Sequence, residues 1–277
     1  MNHKTQKLIY NVLFYIGSAL LLVIVTIPLY WMISTSLKSK GALMALPIQW
    51  IPKKPTLNSY KKVFTLFPFA RAIANSAFIT IAYVVITVLS ASMAAFAISK
   101  IRFKGANVVF AIYLTSMMIP VQITLIPMFI IMNKFSLINT YTSVISPAIF
   151  KAFAVFLLVQ NMRALPDDYL EAARIDGAGM FKIYKDVIMP MMVPTIATLA
   201  ITTFMEAWND YLWPLVMLSD KNKMTLTLAL NTLNGQYDTE YNVLMAGSLI
   251  SMIPIIIIYI IAQTQMKQGI TVGGVKG

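Results

Sequence analysis

Cysteine is absent from the 277 residues, and histidine occurs once, as His3. No disulfide or thiolate metal site can form, and a lone imidazole in a polar terminus reads as solvated rather than ligating. Charge is sparse as well: 12% of the residues are Asp, Glu, Lys or Arg, where roughly a quarter is usual for a soluble domain. Acid is the scarcer sign, 10 residues against 22 basic ones. Also missing are a glycine-rich phosphate loop, a Gly-x-Ser-x-Gly elbow and a His-Glu-x-x-His pair. Without a convergent catalytic or ligating set, the expectation is a chain that performs no chemistry and holds no metal.

What is present is apolar: 58% of the residues are hydrophobic. Uncharged runs cover 8–37, 72–99, 105–133 and 241–266, each longer than the ~20 residues a spanning helix needs. Two more, 142–162 and 188–218, are interrupted only by Lys151 in the first and by Glu206 and Asp210 in the second. The fold class expected is an all-α membrane protein of six transmembrane helices, with both termini on one side. Run 8–37 is expected to be a span; a removed leader is the rival reading, disfavoured because no small-residue cleavage site follows the run. Pro120, Pro127, Pro190, Pro194, Pro214 and Pro254 read as kinks in packed helices. The 19 methionines read as flexible filling between helices.

Residues 38–71 leave the membrane as a long loop rich in Lys and Pro, with Trp50 and Tyr60 suited to an interface. Residues 220–240 form a second exposed loop. Lys and Arg number eleven on the side of the termini and ten on the other; setting the long loop 38–71 aside leaves eleven against three. Since the positive-inside rule is strongest for short loops, the termini are expected to be cytoplasmic.

Between the fourth and fifth runs lies a polar island: Leu165-Pro166-Asp167-Asp168-Tyr169-Leu170-Glu171-Ala172-Ala173-Arg174-Ile175-Asp176-Gly177-Ala178. Pro166 suits a first helical position, and Asp168 with Glu171 has the spacing of a capping box. A short exposed helix should start there and stop at Gly177 and Gly179, since glycine enters left-handed backbone angles without steric cost. A second short helix over about 180–188 and a return to the membrane at Pro190 should follow. Ala172 and Ala173 are small enough for close approach to a groove on another protein, and Glu171 offers a carboxylate to its rim.

The pattern Glu171-Ala172-Ala173, two residues, Asp176-Gly177-Ala178, with Phe181, Pro190 and Pro194 after it, resembles the cytoplasmic loop of ABC importer permeases, the subunits driven by separate ATPases. Trp208-Asn209-Asp210 with Pro214, and the ending Gln268-Gly269-Ile270-Thr271-Val272-Gly273-Gly274-Val275-Lys276-Gly277, resemble the maltose-type carbohydrate importers, including multiple-sugar and raffinose-type permeases. The resemblance covers nearly the whole chain. It implies a cytoplasmic N-terminus (1–11), a six-span permease domain (12–266) with a coupling loop (163–187) between helices 4 and 5, and a Gly-rich cytoplasmic tail (267–277). It also implies ATPase coupling through Glu171, Ala172, Ala173, Asp176, Gly177 and Ala178. A second contact would come from Gly269, Gly273, Gly274, Lys276 and Gly277 as an extended strand between the ATPases.

The implied partners are a second, homologous permease, two ATPase subunits, an extracytoplasmic solute-binding protein and the lipid of the cell membrane, with no nucleic acid. No cofactor is implied on this chain; ATP and Mg belong to the partner ATPases. The implied cargo is an oligosaccharide, with raffinose-type α-galactosides leading. Maltodextrin or glycerol phosphate is the alternative within the same machine, and an ion-coupled secondary transporter the alternative outside it.

Charges in the middle of spanning helices cost at least ~2.5 kcal/mol each on insertion scales and normally face a partner or a wet cavity. Lys151 and Glu206 therefore either pair with each other or line a substrate path. Asp210, four residues after Glu206, shares its helical face. Trp208-Asn209-Asp210 has the chemistry a sugar needs, an indole for an apolar pyranose face and an amide and a carboxylate for hydroxyls; helix packing is the other reading. Asn75, opening the second span, belongs either to the path or to hydrogen-bonded packing.

Overall fold

The structure, a computed structural model, describes residues 3–101, 103–234 and 240–272. Among these residues the chain is helical, with no strand. In chain order the helices are α1 (His3–Ser36), α2 (Lys40–Leu43), α3 (Asn58–Leu66), α4 (Phe69–Lys100), α5 (Ala106–Ser116), α6 (Val121–Lys134), α7 (Tyr141–Ile145), α8 (Ala152–Arg163), α9 (Asp168–Ile175), α10 (Met180–Lys182), α11 (Met189–Met191), α12 (Val193–Asn209), α13 (Leu212–Met217), α14 (Leu226–Leu233) and α15 (Tyr241–Val272). A 3₁₀ turn, Ser146–Phe150, leads into α8, and a π-helical turn, Ile183–Ile188, joins α10 to α11.

Among the described residues, four stretches are long and apolar enough to cross a membrane: Tyr10–Ser36, Phe69–Lys100, Tyr141–Arg163 and Tyr241–Ile261. Two bent pairs raise the number to six if each is one span: Ala106–Ser116 with Val121–Lys134, bent by 104°, and Met180–Met191 with Val193–Asn209, bent by 78°. Where the third and fifth spans were expected, the helices are broken rather than kinked. At the first break Pro120 becomes the N-cap of α6, because a proline pushes the residue before it out of the helical region. Pro127 stays inside α6 without interrupting it. At the second break Pro194 opens α12, a position where its missing N–H costs nothing.

The chain divides into two compact units. In the first, residues 1–69 and 230–252, α1 runs as an apolar rod that is exposed along most of its spanning part and buries Ser34, Thr35 and Ser36 at its end, a surface that lipid or a partner helix can cover and water cannot. The loop after it is folded. Tyr30 and Ser34 donate to the Trp50 carbonyl, Trp31 meets Trp50 edge-on at 5.3 Å, and Asn242 Nδ2 donates to Lys38 O and Ser59 Oγ. Lys38 is buried with its ammonium 4.3 Å from the Trp31 ring centre, and burial lowers its pKa. Trp50 and Tyr60 therefore hold a loop together; Tyr60 reaches Ser36 at 2.9 Å.

The second unit, residues 70–229 and 253–277, holds the larger core. Ala91, Ser92 and Ala95 on α4 are buried, small residues that let helices approach closely where lipid supplies no hydrophobic drive. Leu158 and Met162 of α8, Leu170 of α9 and Leu199 of α12 close the same cluster. The exposed loop expected over 220–240 is in part a helix: α14 buries Leu226, Leu228 and Ala229, too short a run for its periodicity to stand out.

Candidate functional site

Two regions carry the chemistry, and the first is the polar island. α9 begins at Asp168, one turn of chain after Pro166, and no side chain caps it. The expected capping box is not formed: Asp167 holds the N-cap position, and its carboxylate accepts from Lys100 Nζ at 2.6 Å. A charge-assisted bond is roughly twice as strong as a neutral one, so the lysine wins the carboxylate. Lys100 also donates to Leu165 O at 2.7 Å, and its side chain is 2% exposed. The C-terminal end of α4 is thereby strapped to the entrance of the loop.

The far end of α9 stops at Gly177; Gly179 is extended at φ −71° and caps the next turn instead. Gly177 sits at φ +79°; Ala178 N–H donates to Ala173 O at 2.9 Å and Gly177 N–H to Arg174 O at 3.0 Å. This double bond is a Schellman stop. α9 has two faces. Leu170 is buried and Ala173 and Ala178 are half-buried against the core. Outward stand Glu171, Ala172, Asp176 and Gly177 with Tyr169, Ile175 (86% exposed) and Phe181 (71%).

After Gly179 the expected second helix becomes one α turn followed by the π turn. Tyr184, in that turn, reaches Ser92 of α4 at 2.8 Å. The pair is satisfied when Ser92 donates to Leu89 O and accepts from Tyr184.

The second region is a cavity of about 620 Å³, in the ordinary range for small-molecule sites. Ile79 and Tyr83 of α4, Thr124 and Met128 of α6, and Glu206, Asn209, Asp210 and Trp213 are among its walls. Lys151 is placed by a break in the backbone. With φ −69° and ψ 99° it is extended between the 3₁₀ turn and α8, and its Nζ lies 2.5 Å from Glu206 Oε1 and 5.5 Å from the centre of the Tyr83 ring. The lysine side chain is 11% exposed and the glutamate 65%. Asp210 ends α12; its Oδ1 accepts from Trp213 N at 3.4 Å, and its carbonyl accepts from Thr227 at 2.7 Å.

Of the path residues read from the sequence, Glu206, Asn209 and Asp210 meet in this cavity, with Lys151 bound behind Glu206. Trp208 does not: it is buried and stacks on Phe204 at 5.7 Å. Two residues along a helix turn about 200°, which sets Trp208 opposite Glu206. Trp213 supplies the indole instead, its Nε1 donating to Ser143 O at 2.9 Å. Neither Trp213 nor Tyr83 was legible as a site residue; their positions depend on the break at Asp210 and on pairing across α4. Asn75 is a strut, donating to Asn222 O and Met224 O and accepting from Tyr141.

In the tail, Gly269 lies within α15, which runs to Val272, so residues 268–272 are helical and not extended. One glycine costs only about 1 kcal/mol in a helix. Gly273, Gly274, Lys276 and Gly277 lie outside the described residues.

Helices of membrane-spanning length around a charged cavity, with a structured polar loop beside them, define a multi-pass membrane transport subunit. Residues 86–272 match the family described as the binding-protein-dependent transport system inner membrane component, and the chain belongs to that family: it is a permease subunit of an ABC importer in the cell membrane, and not an enzyme. The arabinooligosaccharides transport system permease protein of Halalkalibacterium halodurans is 38% identical over 100% of both chains, and that of Bacillus subtilis is 31% identical over the same extent. A diacetylchitobiose uptake system permease protein of Streptomyces coelicolor is 29% identical over 91% of this chain and 84% of its own. In fold, the chain resembles a bacterial ABC transporter that imports the acidic polysaccharide alginate, with a TM-score of 0.84, 23% identity and coverage of 95% and 98%.

Proposed function

We propose that this permease carries an oligosaccharide by alternating access, with six spans, cytoplasmic termini and the island 163–187 as the loop that couples it to an ATPase. The carrying observation is the two-faced α9. Its inner side is built into the core while Tyr169, Ile175 and Phe181, large apolar groups bracketed by Glu171 and Asp176, stand in water. Such a surface on a charged loop is costly unless a partner covers it. An ATPase that closes on ATP pushes α9 as a rigid lever. The Lys100 strap and the Tyr184–Ser92 bond pass that push to α4, and the π turn passes it to α12, biasing a two-state element. A second permease, two ATPases that hold ATP and Mg, and an external binding protein complete the machine. The tail, from Gly273 on, is a second point of contact with the ATPases.

For the cargo, the relatives' names support an oligosaccharide and favour arabinooligosaccharides over the raffinose-type α-galactosides expected from the sequence. The cavity suits either, having Trp213 and Tyr83 for ring faces and Glu206, Asn209 and Asp210 for hydroxyls. Uptake of labelled arabinotriose and raffinose by cells with and without this gene, with ATPase-deficient cells alongside, tests the reading. Loss of one sugar in both strains is expected. Uptake independent of the ATPase would refute it.

A further inference from the structure

The charges in the cavity bear on which sugars can pass, an inference that rests on the sugar reading. Two carboxylates, Glu206 and Asp210, line it, and among the described residues no Lys, Arg or His stands in its walls. The nearest ammonium, Lys151, lies behind Glu206 and is engaged by it at 2.5 Å. This wall therefore presents one carboxylate more than the cation beside it neutralises. Carboxylate oxygens accept hydrogen bonds from sugar hydroxyls and cannot donate to them, so a neutral sugar, all donors on its hydroxyls, finds complementary groups. An acidic sugar brings a carboxylate that meets like charge in a cavity partly walled by Ile79, Val121, Leu125 and Met128, where low polarity strengthens the repulsion. The likeness to the alginate importer is one of fold and carries no cargo.

We infer that this chain's wall of the path is a charge filter: Glu206 and Asp210, set against the single engaged Lys151, pass neutral oligosaccharides and hold back those that carry a carboxylate.

The test uses the whole importer, both permeases, the ATPases and the binding protein, reconstituted in liposomes. The probes are arabinotriose and its aldonate, the same sugar with its reducing end oxidised to a carboxylate, each loaded on the binding protein to equal measured occupancy. The native importer should take the aldonate more slowly by a factor on the order of ten. Asp210→Asn should raise the aldonate-to-neutral ratio, and Glu206→Gln, which also releases Lys151, should raise it further. Should neither variant reach the membrane, Thr124→Lys, which adds an ammonium to the wall and leaves both acids in place, should raise the same ratio. Equal native rates, or a ratio that no inserted variant moves, would overturn the filter and leave the sugar reading standing. No uptake of arabinotriose, raffinose or maltotriose would overturn both.

Discussion

Lys151 and Glu206 show what a single residue reveals in an apolar chain. Each was conspicuous in the sequence because a charge inside a spanning helix needs an answer, and each answers the other at 2.5 Å. Reversing either one, Lys151→Glu or Glu206→Lys, should abolish uptake, while the double reversal should recover a measurable part of it; a double-mutant cycle on uptake rates reads the coupling. Gly177 was equally legible, as a helix stop. At φ +79° with open space around it, its conformation and not crowding excludes a side chain. Gly177→Ala should cost about 1 kcal/mol and weaken coupling, and Gly177→Asp should abolish uptake at unchanged membrane levels, checked by immunoblot of the membrane fraction. Trp213 was not legible, because a side chain that enters a site from beyond a helix break leaves no periodic trace; Tyr83 was not, because it lies mid-way along the apolar run of α4, where the sequence does not mark which face meets the cavity.

At the scale of elements, the sequence predicts helices well and their breaks poorly. Runs 72–99 and 241–266 correspond to α4 and to the membrane part of α15, since unbroken apolar runs leave one physical solution. Runs 105–133 and 188–218 each contain prolines that read as kinks, and the helices there are broken by 104° and 78°, an outcome that packing and not local sequence decides. The capping box of Asp168 and Glu171 did not form because α9 takes Asp167 as its N-cap, and the Asp167 carboxylate is held by Lys100, 67 residues away. That strap carries an element-scale expectation. Lys100→Met removes the ammonium from Asp167 and Leu165 O, a loss of about 1–3 kcal/mol in stability. The ATPase of the assembled importer should then respond less to loaded binding protein while the chain still inserts, whereas Lys100→Arg should retain part of the response. Tyr184→Phe, which deletes the hydroxyl shared with Ser92, should act in the same direction and more weakly, by about 1 kcal/mol.

For the molecule as a whole, family and membrane class were legible from composition and from one polar loop. Its orientation could be read from charge only by setting one loop aside, because seven of the ten basic residues on the side away from the termini lie in 38–71. Cysteine, absent from the chain, makes the deciding experiment clean, since any thiol introduced is the only one present in this subunit. The most direct test places that thiol at Ala172, on the outward face of α9, in the assembled importer within intact cells. The account expects Ala172→Cys to be shielded from an impermeant maleimide added outside, to cross-link to an ATPase subunit with a short bifunctional reagent, and to change its cross-linking yield with nucleotide. A thiol at Lys54, in the long loop, should label from outside. Labelling of Ala172→Cys from outside, or the absence of any adduct with the ATPase, would contradict the central claim that this loop is where the permease is driven.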